Sequence, residues 1–403
     1  MPEKIHAQVL EALGRKEGPA RIIVLFESAP LSFSLAKREL PGLRLHHHLS
    51  LINGVAGEIT EEALEELAIH PLVARIYPDR EVRALLDVAS PTIGAERAWG
   101  EGLTGRGVGV AVIDTGVYLH PDLYTPFNRI VAFHDLVRGS SLPYDDNGHG
   151  THVAGIVLGN GTRSRRKYKG VAPEANLVAV KALDGNGSGR DSQIITGIQW
   201  CMENKSKYNI RVLNLSLGST AIGPAKDDPL CLAVEKAWDA GIVVCAAAGN
   251  EGPGAGTIDS PGIDPRIITV GAMDDKGTAD RADDGIADFS SRGPTVEGET
   301  KPDLLAPGKG ITSLRAPRGT IDRAGGEGRI GQWYMSLSGT SMATPFCAGT
   351  VALMAQKNPR LTPDQVKSIL QEAAEDRGYE VNAQGKGYID AYKALARVAK
   401  GRW

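Results

Sequence analysis

Apolar positions along this chain fall into two textures that meet between residues 80 and 100. In the first, residues 21–27 hold a β-rich run of Ile22, Ile23, Val24, Leu25 and Phe26. Residues 31–39 carry the pattern of a short helix, and 43–59 one extended segment or a pair of them. Thr60, with Glu61 and Glu62 behind it, opens a helix by a hydroxyl cap and early acids, and Leu64 and Leu67 share one face of it. Residues 73–77 close the series as a strand. Such alternation in a short span predicts a small α+β sandwich.

From residue 108 the texture changes. Apolar runs of strand length at 108–113, 177–180, 212–217, 242–248 and 267–270 alternate with helix-like segments. Strands apolar on both faces predict an α/β fold, a doubly wound parallel sheet flanked by helices. In such sheets functional groups gather beyond the carboxyl ends of the strands. Residues 80–100, charged and then running Ala89-Ser90-Pro91-Thr92, read as a linker. The expected organisation is a small domain over 1–85 and a large one over 86–403.

Bulk properties narrow the classes. A chain of 403 residues is long enough for a large core beside a smaller one. Net charge is −3, so no overall basic field points to nucleic acid or to an acidic membrane. No stretch approaches the ~18 apolar residues of a membrane span. The first residues lack the basic-then-apolar pattern of a secretory signal, so the expected location is cytoplasmic. Cys201, Cys231, Cys245 and Cys347 match no zinc spacing and read as buried free thiols.

Chemistry concentrates in four short stretches. The apolar run 107–113 ends in Asp114-Thr115-Gly116. Asn147-Gly148-His149-Gly150-Thr151-His152 sets a histidine at the mouth of a helix, between glycines that let other backbone come close. Ser338-Gly339-Thr340-Ser341-Met342-Ala343-Thr344-Pro345 puts Ser341 at a helix start, with Pro345 expected in its first turn. A serine hydroxyl needs a base within reach, and the base needs a third group to orient it. Asp, His and Ser on three element ends supply those roles, in the chain order that distinguishes one triad class from two others. The serine setting is not Gly-x-Ser-x-Gly, which opposes a lipase or esterase. Finally, the strand 243–248 ends at Gly249-Asn250, whose side-chain amide could donate to an oxyanion; alone, Asn250 would read as a turn residue.

Taken together these motifs resemble the subtilisin-like serine protease family over roughly residues 90–395, and 20–85 is similar to that family's inhibitory propeptide. Residues 80–87, the run Pro143-Tyr144-Asp145-Asp146-Asn147-Gly148, and Phe289-Ser290-Ser291-Arg292-Gly293-Pro294-Thr295 are similar to its AprX-type intracellular branch. The resemblance implies a subtilisin-like catalytic domain behind a ferredoxin-like propeptide that the enzyme cuts from itself. It implies a catalytic set of Asp114, His149 and Ser341 with Asn250 on the oxyanion. It also implies that Gly187-Ser188-Gly189 and Ser216-Leu217-Gly218 clamp a polypeptide substrate, with Ala247, Gly249 and Asp259 around the specificity pocket. An acid at Asp259 would favour a basic residue on the acyl side of the scissile bond.

No cofactor is implied for the chemistry. The family's calcium loop corresponds here to 159–169, where Arg163, Arg165, Arg166, Lys167 and Lys169 make a poor host for a dication that wants oxygen ligands. Asp122 alone survives as a ligand type, so the usual loop site is expected to be absent while other calcium sites stay open.

Overall fold

The computed structural model describes residues 4–15, 19–27, 33–40, 42–79, 81–84, 92–278, 280–324 and 328–400. Strands β1 (Ala20–Phe26), β2 (Arg44–Leu49), β3 (Gly54–Ile59) and β4 (Val73–Pro78) form an antiparallel sheet in the order β2-β3-β1-β4. The segment 43–59 is thus a pair of strands. Helices Phe33–Glu39 and Glu61–Ala68 follow the expected alternation, whereas the helix Ala7–Arg15 was not anticipated. Thr60 stands at the N-cap, but its hydroxyl makes no capping bond to the helix.

Period-two alternation divides this sheet between two cores. Ile22, Val24 and Val55 pack with Leu64 and Leu67 inside the small domain. Ile23, Ala56, Leu49 and Tyr77 point the other way and merge with the core of the large domain. The small domain therefore sits on the large one through the face of a sheet.

Residues 80–100 are not a plain linker. β5 (Glu81–Ala84) is a strand, and Ala95–Gly100 is a helix. Beyond it come β6 (Gly109–Asp114), β7 (Ile130–Asp135), β8 (Asn176–Lys181), β9 (Ser188–Arg190), β10 (Ile210–Leu215), β11 (Leu217–Gly218), β12 (Val243–Ala247), β13 (Ile268–Asp274), β14 (Gly285–Ile286) and β15 (Leu304–Lys309). The main sheet runs β14-β13-β12-β10-β6-β8-β7, with β15 on β13, and every pairing except β13–β14 is parallel. Each apolar run predicted as a strand is one. Chain order reverses beside β6, and a crevice opens at the strand ends of such a switch point. Asp114 ends β6.

The helix Thr340–Lys357 is buried from Thr340 through Ala355. It packs on β10, β12, β13 and β15, so a helix apolar all round is what this position requires. Cys201, Cys231, Cys245 and Cys347 are all buried, as expected, and none is in a disulfide among the described residues.

Candidate active site

Asp114, His149 and Ser341 are each fully buried and come from three separate element ends. His149 is the first residue of the helix His149–Leu158, and its Nδ1 lies 2.8 and 3.0 Å from the two Asp114 carboxylate oxygens. The Nδ1–H therefore donates to Asp114, which fixes the tautomer and leaves Nε2 as the basic nitrogen. Asp114 Oδ1 also accepts the Thr115 N–H at 2.7 Å.

A second carboxylate, which the sequence reading passed over, holds this pair in register. Asp145 accepts the Thr115 hydroxyl (2.9 Å), the Gly148 N–H (2.7 Å), and the Thr151 hydroxyl (2.6 Å) and N–H (2.9 Å). It ties the end of β6 to the turn that launches His149. Thr115 in turn accepts the Gly150 N–H at 2.8 Å. Gly150 cannot be larger, because a Cβ there would stand 2.3 Å from the Gly116 carbonyl. Below lies Lys181, fully buried, its ammonium 2.5 Å from the Thr115 carbonyl and 2.7 Å from Asp146.

Ser341 is the second residue of its helix, and its hydroxyl donates to the Ser216 carbonyl at 3.0 Å. Pro345 falls in the second turn of that helix rather than the first, as Thr340 begins it. With no N–H, Pro345 cannot donate to the carbonyl four residues back, which is that of Ser341. The Ser216 hydroxyl donates there instead at 2.7 Å, and Asn214 donates to that hydroxyl at 2.9 Å. The proline is tolerated because a neighbouring strand supplies the missing donor.

Asn250 Oδ1 accepts the Thr340 N–H at 3.0 Å and lies 3.1 Å from its hydroxyl. A backbone N–H can only donate, so this contact sets the orientation of the amide and turns its NH₂ away from Thr340. The first N–H groups of a helix lack intrahelical acceptors, and the Ser341 N–H is one of them. Thr340, quoted only as part of a motif, proves to be the residue that aims Asn250. His152 is also fully buried, with Nε2 3.1 Å from the Ile311 carbonyl, and burial followed by the nearby His149 pushes its pKa down to about 3.

The two segments read as substrate edges face each other across β5. β11 pairs antiparallel with β5 (Leu217↔Ala84, Gly218↔Arg83), and β9 pairs antiparallel on its other side (Glu81↔Arg190, Val82↔Gly189, Arg83↔Ser188). Gly187 lies outside this ladder, in the turn before β9, with its N–H on the Asp184 carbonyl. Asp79, just upstream, reaches across the domain boundary. Its carboxylate accepts the Ser192 N–H (2.9 Å) and hydroxyl (2.6 Å) at the start of the helix Asp191–Glu203, and burial raises its pKa.

Ala247 ends β12 with its side chain buried. Gly249 and Gly218 both abut Asp259: a Cβ on Gly249 would stand 2.7 Å from Asp259 Oδ2, and one on Gly218 2.9 Å from Asp259 Cβ. The acid therefore borders the space between the two glycines beside the β11 edge.

The expected ligand type Asp122 is engaged by protein donors. Its carboxylate accepts the Tyr334 hydroxyl at 2.6 Å and the Arg163 N–H at 2.9 Å. The Arg129 guanidinium donates to the carbonyls of Asp122 and Leu158.

Comparison with known proteins gives this geometry a family. The Subtilase family model, Peptidase_S8, matches residues 105–388, and the Peptidase inhibitor I9 model matches residues 32–85. The chain belongs to the subtilase family of serine proteases, and it carries an I9 propeptide-inhibitor domain. It is 48% identical to Serine protease AprX of Bacillus subtilis (strain 168), over 87% of this chain and 81% of that one. It is 35% identical to Subtilisin E of the same strain, over 95% of this chain and 92% of the other. Among solved structures, fervidolysin from Fervidobacterium pennivorans, a keratinolytic enzyme related to subtilisin, superposes with a TM-score of 0.75 at 23% identity. That likeness covers 95% of this chain and bears on the fold, and this chain spans 62% of fervidolysin's length. Among the described residues no helix is long and apolar enough to cross a membrane.

Proposed function

We propose that this protein is a serine endopeptidase made as a self-processing zymogen. In this reading Ser341 Oγ attacks the scissile carbonyl carbon while His149 Nε2 takes its proton, and Asp114 stabilises the imidazolium that forms. The oxyanion is held by the Asn250 NH₂ and the Ser341 N–H. His149 then gives the proton to the leaving amine, and water attacks the acyl-enzyme with His149 as base again. Residues 1–85 act as the inhibitor and 86–403 as the enzyme.

One observation carries the zymogen reading: β5 is hydrogen-bonded between β11 and β9, as an added strand would be, and β11 follows directly on Ser216, which is hydrogen-bonded to Ser341. Its register also points to a cleavage site. Ala84, the last residue of β5, pairs with Leu217, the neighbour in sequence of Ser216, whose carbonyl accepts the Ser341 hydroxyl. The bond Leu85–Leu86 is the one we assign to self-cleavage. Asp259 beside the β11 edge supports a preference for Lys or Arg in intermolecular substrates. A bond cut in cis enjoys a high effective concentration and need not match that preference.

Mass spectrometry of the wild type beside Ser341→Ala tests the reading. The wild type is expected to yield fragments 1–85 and 86–403, and the variant to stay whole. Identical trimming of both would mean that another protease does the cutting.

A further inference from the structure

The loop 159–169, read above as a poor calcium site, walls a cleft of about 670 Å³ at the far end of the helix that begins with His149. Four cations line this cleft: Arg129, Arg165, Arg166 and Lys169. Arg129 is only 8% exposed, donates to carbonyls alone, and is lowered to about 10 by burial. Arg165 and Arg166 are exposed, and both hold left-handed backbone at φ 52° and 70°, a conformation uncommon outside glycine. Lys169 lies 3.5 Å from the centre of the Trp99 ring. None of the four is ion-paired to a carboxylate among the described residues. The one acid lining the cleft, Glu174, is already taken by Arg106 at 3.0 Å and by the Thr104 hydroxyl at 2.5 Å. Phe127, 78% exposed, offers an aromatic face at the rim.

Positive charge of this density, with one of the cations buried and no carboxylate at ion-pair distance among the described residues, is a site for an anion. Its dimensions select the kind. Taken as a cube the cleft is roughly 9 Å across, and same-face side chains of an extended peptide repeat only every ~6.6–7 Å, so an acidic segment would bring about two carboxylates. A triphosphate concentrates three to four charges within a similar length, and guanidinium groups meet phosphate oxygens in pairs. We infer that this cleft binds an oligophosphate group, bridging the 159–169 loop to the Trp99–Thr104 and Phe127–Arg129 segments. The group could be inorganic or carried by a nucleoside, with Phe127 placed to stack on a base.

The test is calorimetric titration of full-length Ser341→Ala with sodium tripolyphosphate at low ionic strength. One molecule is expected to bind in the micromolar range, and Arg165→Glu/Arg166→Glu to weaken it at least tenfold. Lys169→Gln, a milder change, should weaken it several-fold. In an active background the double variant should keep wild-type casein hydrolysis, which shows that it folds. Adenosine triphosphate separates the two sources. Equal affinity assigns the inorganic form, and tighter binding that Phe127→Ala removes assigns the nucleoside form. The inference is overturned by absence of binding, by sulfate binding as tightly (an adventitious ion only), by octa-glutamate binding more tightly, or by charge-reversed variants that bind as well as the parent.

Discussion

The buried His152 makes a quantitative demand on how stability depends on pH. In the folded chain its pKa is pushed down to about 3, chiefly by burial and secondarily by His149, whereas in the unfolded chain it returns to about 6.5. A group depressed on folding binds its proton better in the unfolded state, so acid favours unfolding. The penalty is absent above pH 6.5 and grows as pH falls toward 3. At pH 5 the unfolded state has gained about 1.5 pH units of proton binding and the folded state almost none, which at 1.36 kcal/mol per unit is roughly 2 kcal/mol. Replacing His152 by Gln keeps an N–H donor for the Ile311 carbonyl and removes the titration. Urea denaturation at pH 7 and pH 5 should be run on Ser341→Ala and on Ser341→Ala/His152→Gln, so that every other titrating group is common to both. The loss of stability between the two pH values should be about 2 kcal/mol smaller in the double variant. If both chains lose the same amount, His152 does not carry the acid sensitivity and its burial has been over-read.

Asp259→Ala is expected to lower the ratio of kcat/KM for Arg-ending over Leu-ending chromogenic peptides by about 10–100-fold, the scale of a charge-assisted contact in a half-dry pocket; an unchanged ratio would remove Asp259 from specificity. Asp79→Ala leaves the buried Ser192 N–H and hydroxyl without their acceptor, a loss of about 1–3 kcal/mol. The propeptide bearing it should inhibit matured enzyme about 10–100-fold more weakly, measured as the inhibition constant. Oxygen atoms that could have caged a cation are engaged by protein donors at Asp122, and again at Asp303, where Lys301 sits 2.6 Å and Lys367 2.8 Å from the carboxylate. Casein hydrolysis should therefore survive dialysis against EDTA within about twofold, and phenylmethylsulfonyl fluoride should abolish it. Loss of most activity to the chelator would restore calcium as a requirement.

Strands on the main sheet were legible because burial on both faces leaves no choice but continuous apolar runs, as in 108–113 and 242–248. Asp114, His149, Ser341 and Asn250 were conspicuous in the sequence as a set because their order and glycine-rich settings are jointly restrictive, and the structure hydrogen-bonds Asp114 to His149 and Asn250 to Thr340, the neighbour of Ser341. Asp145 was not, since a carboxylate in Pro143-Tyr144-Asp145-Asp146-Asn147 reads as a turn former until the chain brings Thr115 and Thr151 to it. β5 was illegible for a different reason. Glu81-Val82-Arg83-Ala84 has little strand propensity of its own, and its conformation comes from the two edges between which it lies. Pro345 misled in the same way, as the donor replacing its N–H is Ser216, far away in sequence.

The ladder that holds β5 is made of backbone, and this sets what kind of molecule can take its place. If the strand leaves after the proposed self-cleavage, Leu217–Gly218 and Ser188–Arg190 offer two unpaired edges that only a segment with its own N–H and C=O groups unspent can join. A strand inside a folded protein has already used those groups, and a helix has turned them inward. On the proposed function, what the cleft recognises before any side chain is therefore the state of the substrate: chains that have lost, or never reached, their own hydrogen-bonded structure.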